Sequence, residues 1–266
     1  YFKNRKARYL TNETIELFIN EKAVKLSEKT VHDIIVLLKQ IIKFAVSRKY
    51  IEYFDFNVSQ PKVKNKELAI LSKYEHSKLI NYIQLTFDIN KIGVLLSLFM
   101  GVRIGEVCAL KWEDVNFQTE TLRINKTMQR IKNLDEKAIT KTKIVIDTPK
   151  SQKSIREIPI PSFIVNLMKK YKTDKEKYLL TGTAEFIEPR VYQDMFKTYL
   201  KESGIEDINY HALRHTFATR AIEQDFDIKS LSEILGHSSV KFTLERYVHP
   251  SEEHKRKNME KMSVFY

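Results

Sequence analysis

The spacing of apolar residues predicts two amphipathic helices near the start of the chain. The first can be capped by the Thr or Asn at positions 11 and 12. The second begins at Ser27 and keeps a period of about 3.6 residues as far as Ala45. This periodicity is lost before Pro61. The change predicts a helical domain over residues 1–58 and an exposed linker over residues 59–70.

In the remainder of the chain, some segments have the apolar spacing of helices and others have the apolar–polar alternation of strands. Residues 73–112 are predicted to be helical, with a break near Gly101. The alternating run "VNFQTETLRINKTMQRI" predicts a strand, and "IVIDTPKSQKSIREIPIP" predicts two strands joined by a turn. Helices are predicted at residues 162–171 and from residue 189 onward. Residues 71–266 are therefore predicted to form a mainly α domain with a small antiparallel β-sheet, an α+β fold.

The composition, 42% hydrophobic and 30% charged, is typical of a soluble globular protein. No apolar run reaches the roughly 20 residues that a membrane-spanning helix needs, so we expect no membrane partner and a cytoplasmic location. The single cysteine, Cys108, excludes an internal disulfide and a zinc site of several cysteines. The chain does not begin with Met, which is compatible with a first domain truncated at its N-terminus.

The charge balance points to a polyanionic partner. The chain carries 46 basic and 34 acidic residues, a formal net charge of +12, and nucleic acid is the first candidate for its partner. Lys62, Lys64 and Lys66 alternate along the predicted linker. They predict either a solvated loop or a segment that follows a phosphate backbone, and the sequence leaves both open.

The stretch "HALRHTFATR" places His211, Arg214 and His215 on one face of a predicted helix. The two histidines have the spacing of helical zinc ligands. However, Ala212 stands where the general-base Glu of a zinc hydrolase is needed, and no further ligand cluster is evident, so we expect no metal. The planar fork of an arginine matches a phosphate, and a histidine adds a donor or a proton shuttle. An ordinary half-solvated surface is the third interpretation.

Four further stretches carry polar groups suited to the same chemistry. They supply Arg103 and Glu106 in "MGVRIGEVCALKW", Lys150 in "TPKSQKSIREIPI", His237 in "LGHSS" and Tyr247 in "ERYVHP". With the H-x-x-R of residues 211–214, this order resembles the catalytic domain of the tyrosine recombinases, the integrase family of phages and conjugative transposons. The resemblance covers residues 70–250. It extends more loosely over residues 10–60, as the helical, SAM-like core-binding domain of that family.

The resemblance implies covalent catalysis on DNA. The oxygen of Tyr247 would attack a phosphate, form a 3′-phosphotyrosyl link and release a 5′-hydroxyl, so that one difficult step becomes two easier ones. Lys150 would protonate the leaving 5′-oxygen. A phenol with a pKa near 10 needs help to lose its proton, and His211 is the implied general base.

The remaining residues would act on the phosphate charge. Arg103 and Arg214 would stabilise the charge of the transition state without a metal ion, and His237 would donate to the phosphate. Glu106 would orient the site rather than touch the substrate. We expect His215 to be a bystander, a core or surface residue with its hydrogen bonds satisfied.

The family also implies partners. We expect a two-domain clamp around duplex DNA attachment sites, a homotetramer that joins two sites, and an accessory directionality protein, with no cofactor. The alternatives are a resolvase of chromosome dimers similar to Xer proteins, a DNA-binding regulator that does not cut, and a zinc-dependent hydrolase. An integrase of a mobile element is the favoured function.

The end of the chain carries a short apolar stripe. Pro250 ends the predicted helix of the tyrosine, and Met259, Met262 and Phe265 then recur every three residues. A short terminal segment cannot bury such a stripe against itself. It is expected to dock either on its own protomer or on an adjacent one, and the second is favoured by the resemblance.

Overall fold

The structure, a computed structural model, describes most of the chain. The described residues are 6, 9–53, 55–59, 68–135, 140–148, 154–248, 256 and 259–265. The chain divides into two compact units, Tyr1–Glu67 and Leu68–Tyr266, and each is described by itself.

The first unit contains the two predicted helices, α1 (Asn12–Ala23) and α2 (Glu28–Ser47). Thr11 caps α1 and Ser27 caps α2, because each hydroxyl accepts a backbone N–H of the first helical turn. The apolar faces of the two helices form one core with a residue of the following segment. This core consists of Ile15, Ile19, Val31, Ile35, Ile42 and Val58.

The second unit is mainly helical, as the sequence predicts. Its helices are α3 (Lys73–Leu85), α4 (Ile92–Met100), α5 (Ile104–Ala109), α6 (Ser162–Tyr171), α7 (Pro189–Glu202), α8 (His211–Glu223), α9 (Ile228–Leu235) and α10 (Val240–Tyr247). Short 3-10 segments cover Ile89–Lys91, Trp112–Asp114 and Lys261–Phe265. Among the described residues, no helix is long and apolar enough to cross a membrane.

The predicted break at Gly101 is present. This residue ends α4 with a φ of +66°, and a Cβ there would lie 2.7 Å from side-chain atoms of Leu235 and Phe217. A second interruption, after Leu85, was not predicted: Asp88 caps the 3-10 turn before α4 through the N–H of Asn90.

The strands differ from the prediction in number and in pairing. They are β1 (Val115–Asn116), β2 (Thr121–Ile124), β3 (Thr127–Lys132), β4 (Thr142–Asp147) and β5 (Arg156–Pro159). The single strand predicted from residue 115 is three strands: the chain turns at Glu120, where φ is +51°, between β1 and β2, and β3 then leaves for a different sheet from β2. The two strands predicted from residue 144 belong to different sheets: β4 pairs with β3, whereas β5 pairs with β2 in a three-stranded sheet with β1. All pairings are antiparallel.

Helix α4 lies at the centre of the second unit and is buried on nearly every side. It is anchored to the start of α8 by Tyr210, whose hydroxyl donates to the carbonyl of Gly93 at 2.7 Å. The hydroxyl of Ser97 donates to the same tyrosine oxygen at 2.8 Å. Burial of these polar groups is tolerated because they are hydrogen-bonded to one another, and the contact fixes the position of the helix that carries the H-x-x-R pattern.

Candidate active site

Arg214 is the most enclosed charged group of the site, with 2% of its surface exposed. Its Nη1 donates to the carbonyl of Gly101 at 2.6 Å, and its Nη2 donates to the carbonyl of Leu235 at 2.7 Å. These carbonyls lie at the C-terminal ends of α4 and α9, where the helix dipole is negative and favours a cation. Burial and the charge of Arg103 lower the pKa of this guanidinium, but an arginine keeps its charge at neutral pH.

Arg103 and Glu106 form a pair at the start of α5. The carboxylate of Glu106 accepts the Nη1 of Arg103 at 2.8 Å and its backbone N–H at 3.0 Å. About a third of the Arg103 side chain, 33%, is exposed, while Glu106 is buried at 3%. Glu106 therefore fixes the guanidinium of Arg103, and the exposed part of this side chain remains accessible to an anion.

Arg156 on β5 completes this cluster. No role was predicted for it from the sequence. Its Nη1 and Nη2 bind the two oxygens of Glu106 at 3.0 and 2.8 Å, and its Nε donates to the carbonyl of Ile234 at 2.6 Å. Burial alone would raise the pKa of Glu106, but the hydrogen bonds and charge of Arg156, together with Arg103, lower it to about 2. One buried carboxylate thus connects α5, β5 and the end of α9.

We expect Arg156→Met to destabilise the protein, because it leaves the buried Glu106 carboxylate with one cation in place of two. Removing one partner of a buried ion pair costs about 3 kcal/mol or more, and urea unfolding of the variant measures this cost. The matched control is Arg123→Met on the exposed face of β2, for which we expect about 0.5 kcal/mol or less. Equal free energies of unfolding for the two variants would contradict this account of Glu106.

His237 lies just beyond the left-handed Gly236 that ends α9. Its Nε2 faces the Nη2 of Arg214 at 2.9 Å, and its Nδ1 faces the hydroxyl of the buried Thr243 at 2.8 Å. Since the guanidinium can only donate, Nε2 accepts and Nδ1 carries the hydrogen. Burial and the charges of Arg214 and Arg103 lower the pKa of this imidazole to about 3, so that it is neutral.

Tyr247 is the last residue of α10 and is buried, with 7% exposed. Its ring lies parallel to that of His237, with the centroids 6.2 Å apart and an interplanar angle of 4°. Its hydroxyl lies 2.9 Å from Nδ1 of His215. Burial raises the pKa of the phenol, against the opposing charges of Arg214 and Arg246.

His215 is a core residue with a satisfied hydrogen bond, as expected from the sequence, and its partner is the tyrosine. This residue is buried and hydrogen-bonded to the oxygen of Tyr247, and its ring stands edge-on to that of His211 with the centroids 4.6 Å apart. The spacing of four residues places both histidines on one face of α8. Which of them meets the tyrosine depends on how α10 packs, and the sequence pattern does not carry that information.

The site thus brings together most of the residues that the sequence singled out. These are Arg103, Glu106, His211, Arg214, His237 and Tyr247. The other candidates, Lys150 and the linker lysines Lys62, Lys64 and Lys66, lie outside the described residues. Within the described part of the chain, no group of three or more His, Cys, Asp or Glu residues could hold a metal ion. Chemically, the cluster is suited to binding a phosphate beside a tyrosine hydroxyl, because it offers two guanidinium groups and several imidazoles.

Comparison with known proteins agrees with this class of site. The sequence model of the phage integrase family matches residues 70–254 of the chain. The protein belongs to the phage integrase family.

Two curated proteins are similar to this chain over more than half of its length. The chain is 33% identical over 172 residues to a "tyrosine recombinase XerC-like" protein of Caldanaerobacter subterraneus subsp. tengcongensis. The matched region covers 58% of this chain and 44% of the relative. The chain is also 26% identical over 238 residues to the ICEBs1 integrase of Bacillus subtilis. This match covers 84% of the chain and 62% of the relative. The chain therefore spans less than two thirds of the length of either protein.

The fold is similar to that of the Tn1549 transposon integrase, solved in complex with a circular intermediate DNA. The TM-score is 0.77 at 20% sequence identity, and the match covers 96% of this chain and 86% of the integrase chain. The mostly helical fold with small antiparallel sheets is thus that of a tyrosine recombinase, as the sequence predicts.

Proposed function

We propose that this protein is a site-specific DNA recombinase that integrates or excises a mobile element through a 3′-phosphotyrosyl intermediate. The observation that carries the proposal is the placement of the Tyr247 hydroxyl. It lies in the same cluster as Arg214 and Arg103, hydrogen-bonded to an imidazole at 2.9 Å. A phenol held beside two guanidinium groups is the arrangement that attack on a phosphodiester requires.

The first step exchanges one phosphodiester for another. The oxygen of Tyr247 forms a bond to phosphorus and loses its proton, while the bond from phosphorus to the 5′-oxygen breaks and that oxygen gains a proton. Arg103 and Arg214 stabilise the charge on the non-bridging oxygens, and Glu106 holds Arg103 in place. Lys150 remains the predicted donor of the proton. Reversal of the step by another 5′-hydroxyl rejoins the strand without ATP.

His211 and His237 have separate roles in this proposal. His211 is the most exposed of the three imidazoles, and its assignment as general base is supported by the resemblance to the recombinase family. His237 is assigned as a donor to the phosphate. Because Nε2 accepts from Arg214 in this structure, the donation requires the other neutral tautomer, in which the hydrogen moves from Nδ1 to Nε2 and the hydroxyl of Thr243 donates to Nδ1.

The proposal is tested by trapping the intermediate on DNA. A nicked suicide substrate releases the short 5′-hydroxyl strand after cleavage and prevents rejoining, so that a covalent adduct accumulates. We expect the wild-type chain to form this adduct equally well with and without EDTA. A regulator that does not cut would bind the DNA without an adduct, and a zinc-dependent hydrolase would lose its activity in EDTA.

A Xer-like resolvase is the second candidate function. It is favoured by the similarity to the XerC-like protein, whereas the ICEBs1 integrase supports the mobile-element function. The two functions differ in their DNA. An integrase joins two different attachment sites and depends on an accessory directionality protein for excision, while a resolvase recombines two copies of one site. Sequencing the recombination junctions of the parent DNA distinguishes them.

With either substrate, we propose that the protein acts in the cytoplasm.

For DNA binding, we propose that residues 1–58 form a core-binding domain and that the lysines of the linker, residues 59–70, contact the DNA backbone. Each phosphate contact adds about 0.9 to the slope of log K against log salt. We expect replacement of Lys62, Lys64 and Lys66 by Gln to flatten this slope by about 2 to 3 units in fluorescence anisotropy titrations.

The charge-matched control for the linker variant lies at the C-terminal end of α6. Replacing Lys169, Lys170 and Lys172 by Gln removes the same charge from the second unit. If both variants change the slope equally, the effect is one of net charge, and the proposed linker contact is wrong.

We also propose that the protein assembles as a homotetramer on two sites, with the terminal segment docking on an adjacent protomer. In support, Met259 and Met262 are 70% and 59% exposed on their own chain. Deleting residues 258–266 is expected to leave the binding of one protomer to a half-site nearly unchanged and to weaken synapsis. Sedimentation velocity on paired half-sites measures this, and tetramers at wild-type concentrations would contradict the proposal.

A further inference from the structure

The hydrogen bond between His215 and Tyr247 joins the nucleophile to a residue that has no role in the mechanism given above. The distance from Nδ1 to Oη is 2.9 Å, and both residues are buried, at 9% and 7% exposed. A side-chain hydrogen bond from Arg214 also reaches the phenol and acts against the rise in its pKa, so the oxygen lies between a donor and an acceptor.

From this contact we infer that His215 is the residue that holds the oxygen of Tyr247 for attack. Its Nδ1 accepts a hydrogen bond from the phenol and so fixes the rotation of the hydroxyl beside Arg214. This bond has to break before the proton leaves to His211, the assigned general base. The inference rests on the proposed function, because it assigns a role relative to Tyr247 as the nucleophile. It adds a residue adjacent to the H-x-x-R pattern to those that contact a reacting atom.

The surroundings of Tyr247 explain why the hydrogen bond to His215 has this effect. The tyrosine is the last residue of α10, and the backbone of Val248, which follows it, is extended. Its ring is packed among apolar side chains of α8 and α9, which do not select one orientation of the hydroxyl. The packing residues are Phe217, Ala218, Ala221, Leu231 and Leu235.

The protonation state of the imidazole suits an acceptor. The charged groups around His215 are Arg214 on its own helix and Arg246 on α10, with His211 stacked edge-on beside it. Burial, together with these neighbours, lowers the pKa of His215 to about 4, so the ring is neutral at pH 7. With its hydrogen on Nε2, the ring presents a lone pair at Nδ1 to the phenol.

The experiment compares three substitutions of His215 in single-turnover cleavage of the suicide substrate. Asn places an amide atom near the position of Nδ1, Gln places one near Nε2, and Phe offers neither. We expect His215→Phe and His215→Gln to slow cleavage by about tenfold to a hundredfold, the loss typical of a misplaced reacting group. We expect His215→Asn to remain within about fivefold of wild type, because a hydrogen bond to the phenol can still form.

The contact is also tested without DNA. In nitrogen NMR of the labelled chain, the Nδ1 resonance of His215 is expected to be that of an unprotonated acceptor and to shift in Tyr247→Phe. DNA affinity and thermal unfolding, measured for every variant, separate a local effect from loss of the fold. His76→Phe is the matched control. His76 lies on α3, outside the site, and is a half-buried histidine packed against Phe99 on α4.

Each outcome decides the inference. If His215→Phe cleaves at the wild-type rate or faster, the contact is incidental or inhibitory, and the inference is wrong. If His215→Asn is as slow as His215→Phe, the hydrogen bond is not what matters, and the inference is equally wrong. Failure of the proposed function has a different signature: the wild-type chain forms no adduct at all, while the NMR signal still reports on the contact.

Discussion

Replacing Tyr247 with Phe is expected to abolish the covalent adduct with DNA while DNA binding stays at the wild-type level. The substitution removes one oxygen from the ring, and that oxygen is the atom that would bond to phosphorus. The ring itself is retained, so its parallel contact with His237 at 6.2 Å and its packing against α8 and α9 are preserved. The measurement is gel detection of the protein–DNA adduct on the nicked suicide substrate.

Tyr199→Phe is the matched control for this experiment. Tyr199 is also 7% exposed and lies on α7, away from the arginines, so the same loss of a buried hydroxyl occurs outside the site. We expect this variant to form the adduct at the wild-type rate. An adduct formed by Tyr247→Phe would contradict the assignment of the nucleophile, and with it the mechanism that we propose.

The helices could be predicted from the sequence because the signals that begin and end them are local. Ser27 and Ser239 each accept a backbone N–H three residues later, and Gly101 and Gly236 each adopt the left-handed conformation that ends a helix. These contacts lie within a few residues of one another, so composition and spacing are enough to predict them.

The pairing of the strands could not be predicted in the same way. The residues of β4 and β5 are close in sequence, yet β5 pairs with β2, so that Ile158 lies opposite Leu122. Both side chains are buried in the large core of the second unit, and this burial selects the partner. Alternating apolar residues predict that a strand exists, but they do not specify which strand lies beside it.

The candidate site, too, could be predicted only in part. The types and order of its residues could be recognised in the sequence, but their contacts could not. Arg156 follows a stretch of sequence that contains two other basic residues, Lys150 and Lys153, and only the fold aligns its guanidinium with both oxygens of Glu106. Similarly, Thr243 was not predicted to contact the site, because its hydroxyl meets His237 only once α10 packs against the end of α9.

Arg214→Lys is expected to slow cleavage by at least about a hundredfold, in line with the loss of one donor to the charge of a transition state. Lysine keeps the charge but offers a single nitrogen. The two terminal nitrogens of Arg214 bind the carbonyls of Gly101 and Leu235 at 2.6 and 2.7 Å, and the second also meets His237 at 2.9 Å. One ammonium group cannot span the ends of α4 and α9, hold His237 and still donate to a phosphate.

Arg103→Lys tests the second guanidinium, and Arg220→Lys is the control on α8. Arg220 pairs with Glu223 at 2.7 Å near the end of that helix, so its replacement tests the general cost of this substitution. Arg103→Lys is expected to lose about as much activity as Arg214→Lys, because Arg103 is held by Glu106 with its guanidinium accessible. Single-turnover cleavage at saturating protein measures the three rates. DNA affinity and urea unfolding show whether the site variants remain folded. Losses below about threefold for both Arg103 and Arg214 would mean that charge alone is sufficient and that the planar donors of arginine have no special role in the reaction.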